Sequence, residues 1–337
     1  MNLTVFLCKS ILKIALIFLC SSIAFSQNIA LVIHGGAGNI YKENVPDSLE
    51  NLYRLKMEEA LNKGFEILSK GGTSLDAVRV TINVMEDSPL FNAGKGAVFT
   101  NEGTNEMDAS IMDGASLNAG AVAGVRHIKN PIDAAIEVML NSPHVMLSGS
   151  GAEEFAKSKG LALVDSEYFY TEKRYQQLLK AKQAETEDQG NNDPIHKNYK
   201  FGTVGAVALD IDGNIVAGTS TGGMTNKKYG RIGDAPIIGA GTYANNKTCG
   251  ISATGHGEYF MRSVVAYDIS ALMEYKGLDI QSAADVVVQD KLVKLGGEGG
   301  VIGLDAQGNI MFSFNSNGMF RGYIKAQNQP SVFIFRE

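Results

Sequence analysis

Cysteine is scarce in this sequence, with three residues among 337. Two of them, Cys8 and Cys20, fall within an N-terminal segment that we expect to be removed, which leaves Cys249 alone in the mature chain. A single thiol cannot form an internal disulfide, so the fold does not depend on a disulfide framework. Zinc sites built from clustered cysteines are excluded for the same reason.

Clusters of basic residues with interleaved aromatic side chains are also missing, and the net charge is -6. Nucleic acid is therefore not expected as a partner, because its phosphates require a basic surface. The pattern G-x-G-x-x-G is absent as well, so the glycine turn at residues 34–36 does not indicate a nucleotide site. No internal repeat is apparent.

Glycine, by contrast, is abundant, because 38 residues exceed the usual share of about 7%. Clustering of glycines in a few segments indicates close backbone approaches near a site. With 45% hydrophobic and 20% charged residues, the composition is typical of a soluble globular protein. The length suits one large domain or two ordinary ones.

Residues 1–26 predict a secretory signal peptide. Two lysines precede the apolar run 14–20, and the small residues Ala24 and Ser26 stand at the positions that a signal peptidase recognises. The run is too short to span a membrane comfortably. We expect cleavage before Gln27, export to the periplasm or the exterior, and no membrane association afterwards; an uncleaved anchor is the alternative.

Apolar periodicity predicts a mixed fold. We expect strands at 28–33, 97–99, 107–112, 119–125, 203–209, 215–218, 301–304 and 310–314. We expect helices from Asp47 to the Gly71-Gly72 pair, from a Thr73 or Ser74 cap to Met85, and at 131–140, 148–160, 255–276 and 282–295. Strands with few polar positions belong to sheets covered on both faces. The pattern therefore predicts one domain of two stacked sheets between helical layers.

Thr203 stands at the sharpest change of composition in the chain. A charged tract at 180–200 ends at Gly202, and the apolar segment 203–209 begins directly after it. If the bond between Gly202 and Thr203 is cut, Thr203 acquires a free α-amine beside its hydroxyl. Such an amine has a pKa of about 7.7–8.0 and can accept the hydroxyl proton without a histidine. An ordinary strand after a loop would show the same local pattern.

An Asp212-Gly213 turn joins the segment that follows Thr203 to the next predicted strand, which is the signal of a β-hairpin. Two strands of similar length bring their free ends together. We therefore expect Thr221 to lie within hydrogen-bonding reach of Thr203.

Five glycine-rich segments occur along the chain. They are His34-Gly35-Gly36-Ala37-Gly38, Thr219-Ser220-Thr221-Gly222-Gly223-Met224-Thr225-Asn226, Gly230-Arg231-Ile232-Gly233-Asp234-Ala235-Pro236, Gly239-Ala240-Gly241-Thr242-Tyr243-Ala244 and Ala253-Thr254-Gly255-His256-Gly257-Glu258. Together with the Gly202-Thr203 junction, they resemble the plant-type asparaginase and isoaspartyl peptidase family of N-terminal nucleophile hydrolases. The resemblance covers almost all of the chain after residue 28.

The resemblance implies an α+β fold, a four-layer αββα sandwich. It implies a chain that cuts itself into an α subunit, 27–202, ending in a flexible linker from about 180, and a β subunit, 203–337, that begins at the nucleophile. A homodimer of cleaved protomers, (αβ)2, is expected. The implied activity is hydrolysis of isoaspartyl dipeptides and of the side-chain amide of L-asparagine, with no cofactor required for the chemistry.

Thr254 and Gly255 stand where a strand is predicted to meet a helix, so that a hydroxyl and a backbone N–H can converge on a developing oxyanion. By resemblance they form the oxyanion hole, while Thr203 is the nucleophile and Thr221 orients its hydroxyl. A guanidinium binds a carboxylate and an aspartate binds an ammonium, so Arg231 and Asp234 are predicted to hold the free amino-acid end of the substrate. The alternative is that these two residues simply pair with each other.

The remaining site predictions also come from the resemblance. Ile232, Gly233, His256 and Gly257 would line the substrate pocket, with His256 not acting as the base because the amine fills that role. Asn92, Gly35 and Gly36 would support the nucleophile. The predicted structural sodium ion would be bound by the main-chain carbonyls of Met85, Glu86, Ser88, Phe91, Ala93 and Lys95, since oxygen ligands suit a hard cation.

Other functions remain open. Glycosylasparaginases resemble the chain but carry an aspartate at the position of Gly202 and a Ser-Thr-Asn-Gly segment at 220–223, and taspase-like proteases are more distant because they carry longer insertions. The Gly-Thr junction favours the isoaspartyl peptidase branch. A non-catalytic, exported amino-acid-binding protein is a further alternative, which the presence of all four predicted catalytic residues disfavours.

Overall fold

The computed structural model describes residues 28–187, 202–325 and 329–336. The predicted signal peptide and the part of the predicted linker at 188–201 lie outside these residues. Among the helices described, none is both long and apolar enough to cross a lipid bilayer.

Twelve strands form within the described ranges. They are β1 Ala30–Gly38, β2 Met107–Asp113, β3 Ala119–Val125, β4 Met146–Ser148, β5 Val204–Leu209, β6 Ile215–Thr221, β7 Thr242–Ala244, β8 Cys249–Gly255, β9 Gly299–Asp305, β10 Ile310–Phe314, β11 Gly318–Lys325 and β12 Ser331–Phe335. The larger sheet has the order β12-β11-β1-β5-β6-β2-β3-β4, and the smaller one has the order β10-β9-β8-β7.

The helices cover the outer faces of the two sheets. They are α1 Asp47–Ser69, α2 Ser74–Glu86, α3 Pro131–Asn141, α4 Gly149–Ser158, α5 Glu172–Glu187, α6 Gly257–Ser263, α7 Val265–Lys276, α8 Ile280–Asp285 and α9 Leu292–Lys294, with a π-helical segment Val286–Lys291 between the last two. Short 3-10 helices form at Lys42–Asn44, Gly94–Gly96 and Ser166–Phe169.

Three buried apolar layers hold these elements together. The first joins the large sheet to α1–α4, the second lies between the two sheets, and the third joins the small sheet to α6–α9. Alternation along the strands explains the layering, because successive side chains point to opposite faces. On β5, for example, Val204, Ala206 and Ala208 face the helices, while Val207 and Leu209 face the small sheet. The predicted α+β fold, with sheets packed between helices, is thereby confirmed.

The central hairpin also forms as predicted. β5 pairs antiparallel with β6, with Val204 opposite Ser220, and on its other edge pairs antiparallel with β1, with Gly205 opposite His34. The start of β5 therefore lies between the end of β6 and the bulge of β1 at 34–36, where the sequence predicts a glycine turn and the structure has a continuous strand. The Thr73 cap of α2 is likewise confirmed, since its side chain accepts a hydrogen bond from the Asp76 N–H.

Two local predictions are wrong, and one long strand has no prediction. Residues 97–99 do not form a strand and make only the isolated bridge between Phe99 and Asn105. The helix predicted at 255–276 is interrupted at Val264, whose φ of 48° and ψ of 49° start a new helix with its own axis. The long strand β11 was not anticipated, because its pairing with β1 joins the two ends of the chain.

One acidic side chain lies in the core between α2 and β6. Glu86 is fully buried; its Oε1 accepts hydrogen bonds from the Ser220 hydroxyl at 2.6 Å and from the Ile132 N–H at 3.1 Å. Burial raises the pKa of Glu86 from its ordinary 4.5 to about 8. The native state therefore retains a proton that the unfolded chain loses.

We expect Glu86→Gln to flatten the pH dependence of stability. In the wild type, the contribution of neutral Glu86 to the free energy of unfolding is complete below pH 4.5. It is lost as the pH rises toward 8, because the pKa of Glu86 is higher in the folded state than in the unfolded state. The substitution should remove a decrease in the free energy of unfolding of at most about 1.4 kcal/mol per pH unit. Melting temperatures at several values from pH 5 to pH 8 measure it, with the exposed Glu102→Gln as control. Parallel curves for wild type and Glu86→Gln would contradict the expectation.

Candidate active site

Thr203 immediately precedes β5 and faces the end of β6. Its Oγ1 lies 2.9 Å from the Oγ1 of Thr221, within hydrogen-bonding distance. The same Thr221 oxygen accepts a hydrogen bond from the Gly223 N–H at 3.0 Å. Thr221 is thus oriented by the turn that follows it, and its own proton is available for Thr203. The predicted contact between the two threonines is present.

The peptide bond that precedes Thr203 is enclosed by backbone. The Gly202 carbonyl accepts a hydrogen bond from the Asn92 N–H at 2.9 Å. Gly36 has a φ of +112°, and a Cβ there would lie 2.5 Å from the Gly202 Cα, so only glycine fits both the conformation and the space. A Cβ at Gly35 would lie 2.6 Å from the ring of Phe91.

Asn92 is itself immobilised. Its side chain is buried, donates to the Gly223 carbonyl at 2.7 Å and accepts from the Val98 N–H at 2.9 Å. These bonds connect the loop before the 3-10 helix Gly94–Gly96 to the turn after β6. Asn92 and Gly36 therefore contact Gly202, whereas Gly35 packs against Phe91, and the role of all three in supporting the nucleophile stays a prediction.

Thr254 lies on the face of β8 that packs over β5. A Cβ at Gly250 would lie 2.4 Å from the Val207 side chain, and one at Gly205 would lie 2.0 Å from the Ser252 hydroxyl. Side chains two residues further along both strands share these faces, so we infer that Thr254 faces Thr203.

The Thr254 hydroxyl is fully buried and has no hydrogen-bond partner among the described residues. A buried hydroxyl without a partner is costly, unless a ligand supplies one. Thr254 and the following Gly255 end β8, and α6 begins two residues later. This strand-to-helix junction was predicted, and the unpaired hydroxyl is what a developing oxyanion would require.

Arg231 and Asp234 come together around Gly257. A Cβ at Gly257 would lie 2.8 Å from Nη2 of Arg231 and 2.9 Å from Oδ1 of Asp234, so glycine leaves room for both charged groups. Gly233 similarly leaves room for the guanidinium, since a Cβ there would lie 2.7 Å from Nη1. Ile232, between them, is partly exposed.

Arg231 pairs with Glu258, which the sequence analysis did not place in the site. Nε and Nη2 of Arg231 donate to the two carboxylate oxygens of Glu258, each at 2.9 Å. This bidentate pair orients the guanidinium and leaves its Nη1 edge toward Gly233. The alternative that Arg231 and Asp234 serve only to pair with each other is not what the hydrogen bonds show. A carboxylate in the first turn of α6 was the one sequence signal for Glu258.

Asp234 is nearly buried, and its Oδ2 has no hydrogen-bond partner in the described part of the chain. Burial raises the pKa of this carboxyl to about 7, although the neighbouring Arg231 charge acts in the opposite direction. A cationic ligand would restore the charged form. His256 precedes α6, and its ring centroid lies 6.0 Å from that of Tyr259.

The loop at 85–96 is the candidate cation site. The described residues hold no group of three or more His, Cys, Asp or Glu side chains that could bind a metal ion. Two of the main-chain oxygens predicted as ligands lie close to glycines of this loop: a Cβ at Gly94 would lie 2.4 Å from the Glu86 carbonyl oxygen, and one at Gly96 would lie 1.9 Å from the Phe91 carbonyl oxygen. A hard cation bound by oxygen alone stays a prediction for this loop.

Comparison with known proteins agrees with this geometry. The model of a family described as asparaginase matches residues 27–334. An isoaspartyl peptidase of Escherichia coli is 49% identical over 308 residues, 91% of this chain and 96% of the relative. An isoaspartyl peptidase/L-asparaginase of Xenopus laevis is 41% identical over 298 residues, covering 88% and 92%. A plant-type L-asparaginase of Pyrococcus abyssi is 41% identical over 313 residues, covering 91% and 100%.

The family match spans the described sheets and helices, and the segments that form the site lie inside it. This chain belongs to the asparaginase family whose members include isoaspartyl peptidases and plant-type L-asparaginases.

Proposed function

We propose that this protein is a threonine hydrolase that cleaves isoaspartyl dipeptides and the side-chain amide of L-asparagine. The observation that carries the proposal is the 2.9 Å contact between the hydroxyls of Thr203 and Thr221 at the start of β5. A buried hydroxyl on Thr254, unpaired among the described residues, and the neighbouring charges of Arg231 and Asp234 complete a site suited to an amino acid with a reactive side-chain carbonyl. The names of the relatives support the substrate class.

The first reaction is cleavage of the chain itself. The Thr203 Oγ1 attacks the Gly202 carbonyl carbon, the peptide C–N bond breaks, and the acyl group moves from nitrogen to oxygen. Water then hydrolyses the ester, which leaves a carboxylate on Gly202 and a free amine on Thr203. The Asn92 N–H already donates to the Gly202 carbonyl oxygen and would stabilise the negative charge that develops there.

The second reaction is turnover. The free α-amine of Thr203 accepts the proton of its own hydroxyl, and Oγ1 attacks the side-chain carbonyl carbon of the substrate. The Thr254 hydroxyl and the Gly255 N–H donate to the oxyanion, a type of contact worth about 2.7–4 kcal/mol of barrier. The leaving ammonia or amine takes the proton, and water releases aspartate from the ester on Thr203.

The substrate's α-amino and α-carboxylate groups would be bound on one side of the nucleophile. The guanidinium of Arg231 presents its Nη1 edge to the carboxylate, while Glu258 holds the opposite edge. The unpaired Oδ2 of Asp234 would accept the ammonium. Because both charges are recognised, the pocket selects a free amino-acid end, which an isoaspartyl dipeptide and asparagine share.

We also propose how the chain is exported, divided into subunits and assembled, and which ion it binds. Residues 1–26 would direct export and be removed, 27–202 and 203–337 would become the two subunits, and cleaved protomers would form an (αβ)2 dimer. A sodium ion would be held by main-chain carbonyls of the 85–95 loop. That ion would stiffen the loop from which Asn92 reaches Gly202, without taking part in the chemistry.

Self-cleavage is tested by intact mass. Wild-type protein incubated at neutral pH should give two fragments that meet between Gly202 and Thr203, because the Thr203 hydroxyl is the attacking group. Thr203→Ala should remain one chain, whereas Thr203→Ser, which keeps a hydroxyl, should still cut. A Thr203→Ala chain that splits at the same bond would remove the proposed mechanism.

Substrate choice is tested with three compounds. The cleaved wild type should release ammonia from L-asparagine and split an isoaspartyl dipeptide, but leave a glycosylated asparagine intact. Arg231→Ala should lower kcat/KM for the first two by about 100-fold, since two charge-assisted hydrogen bonds are lost. Arg79→Ala, which removes an exposed arginine on α2, is the matched control. Preference for the glycosylated compound would favour a glycosylasparaginase, and amino-acid binding without hydrolysis would favour a binding protein.

The protonation of Asp234 should make the binding of the product L-aspartate depend on pH. A carboxyl with a pKa of about 7 is neutral below that pH and cannot pair with an ammonium. The inhibition constant of L-aspartate should therefore rise as the pH falls from 7.5 to 5.5, approaching about tenfold per pH unit. Asp234→Asn should bind more weakly at pH 7.5 and lose this dependence. A flat wild-type profile would show that Asp234 does not bind the ammonium.

A further inference from the structure

His34 lies in the core beneath Thr203 and makes two hydrogen bonds. Its Nδ1 lies 3.0 Å from the Thr203 carbonyl oxygen, and its Nε2 lies 3.0 Å from the Ser252 hydroxyl. The side chain is completely buried, and burial lowers its pKa to about 3, so the imidazole is neutral in ordinary buffers. A carbonyl oxygen can only accept, which means that Nδ1 carries the proton and Nε2 accepts from Ser252.

Ser252 belongs to a continuous row of buried hydroxyls. Its Oγ lies 2.6 Å from the Oγ1 of Thr219, which lies 2.6 Å from that of Thr242. Thr242 lies 2.8 Å from the Oγ of Ser110, which also lies 2.6 Å from the Ala235 carbonyl oxygen. The row therefore runs from the nucleophile to the residue directly after Asp234.

The hydroxyl protons near His34 must all point along the row in one direction to form these short hydrogen bonds. Ser252 uses its proton on His34, so Thr219 must donate to Ser252, and Thr242 must donate to Thr219. Every one of these hydroxyls is buried, and Thr219 Oγ1 also lies 3.1 Å from the Gly241 carbonyl oxygen. The row thus holds His34 in the tautomer that donates to Thr203.

The backbone leaves space for this arrangement at one position on β5. Gly205 is paired with His34 across the sheet. A Cβ there would lie 2.0 Å from the Ser252 Oγ and 2.4 Å from the His34 Nε2, so any larger residue would break the contact. Gly205 therefore makes room for an interaction, although its φ lies in the ordinary range.

We propose that His34 is a positioning residue for the reaction, which holds the Thr203 carbonyl so that the nucleophile's hydroxyl and freed amine keep one orientation. This inference rests on the proposed function. After the Gly202–Thr203 bond is cut, the amine and hydroxyl of Thr203 remain attached to β5 only through the Thr203 Cα and carbonyl. A hydrogen bond that fixes that peptide plane limits rotation of both reacting groups.

Two substitutions that each keep one nitrogen position of His34 distinguish a positioning role from a packing role. Counting bonds from Cβ, the amide nitrogen of an asparagine stands where Nδ1 stands, whereas the amide of a glutamine reaches the position of Nε2. His34→Asn should keep the bond to Thr203 and retain kcat within about threefold. His34→Gln should keep the contact with Ser252, lose the bond to Thr203, and lower kcat by about tenfold with KM nearly unchanged.

Cleaved, folded protein is compared in each case, with the cleaved fraction counted by mass and the fold checked by melting temperature. Equal kcat values for His34→Asn and His34→Gln would overturn the proposal, because a purely structural histidine would not distinguish them. A wild type that neither cuts itself nor hydrolyses asparagine would instead overturn the proposed function, and this inference with it.

Ser252→Ala provides a second test that leaves His34 in place. Removing the Ser252 hydroxyl takes away the contact that fixes the imidazole ring at Nε2, so the ring is held only through Nδ1 and kcat should fall by about threefold to tenfold. In the His34→Asn background the same change should have no further effect on kcat, because asparagine holds Thr203 without Ser252. Equal losses in both backgrounds would show that the Ser252 hydroxyl does not act through His34 and would overturn the proposal.

Discussion

The antiparallel pairing of β5 between β1 and β6 is the constraint on which the site depends. This pairing fixes the position of Thr203, because the register places Val204 opposite Ser220 and Gly205 opposite His34. A slip of one residue would turn every side chain of β5 to the other face and separate Thr203 from its neighbours. The strand is buried on both faces, so that slip would also exchange the side chains that β5 contributes to the two apolar layers and disturb the packing of both.

Near this strand, the site contains buried polar atoms that have no hydrogen-bond partner among the described residues. The Thr254 hydroxyl and the Asp234 Oδ2 are both unpaired among the described residues. Such groups destabilise a fold, and they are tolerated where a ligand completes them. The Arg231–Glu258 pair shows the complementary arrangement, since its charge is satisfied in advance and its geometry is set before a ligand arrives. Preorganised donors and an unsatisfied acceptor are what the proposed binding of a zwitterionic substrate end requires.

Much of the architecture followed from local pattern. Apolar alternation predicted the β5–β6 hairpin, a threonine cap predicted the start of α2, and the glycine-rich segments identified the family. The errors have local causes too. An apolar triplet at 97–99 lacks a neighbouring strand to pair with, and Val264 adopts a left-handed conformation that no propensity would assign to a β-branched residue. The predicted role of Thr254 came from resemblance and those of Arg231 and Asp234 from the chemistry of their side chains, and the structure adds the burial and the contacts of each.

The sequence by itself determined the family, the fold class and the position of Thr203, because periodicity and short motifs are properties of neighbouring residues. Only the tertiary structure decided which groups meet. His34 contacts Thr203 across 169 residues and Ser252 across 218, and Glu258 pairs with Arg231 across 27. These contacts depend on sheet register and on the packing of one sheet over the other. No local pattern encodes such distances, since they are set by the sum of all the burial and hydrogen bonding in the fold.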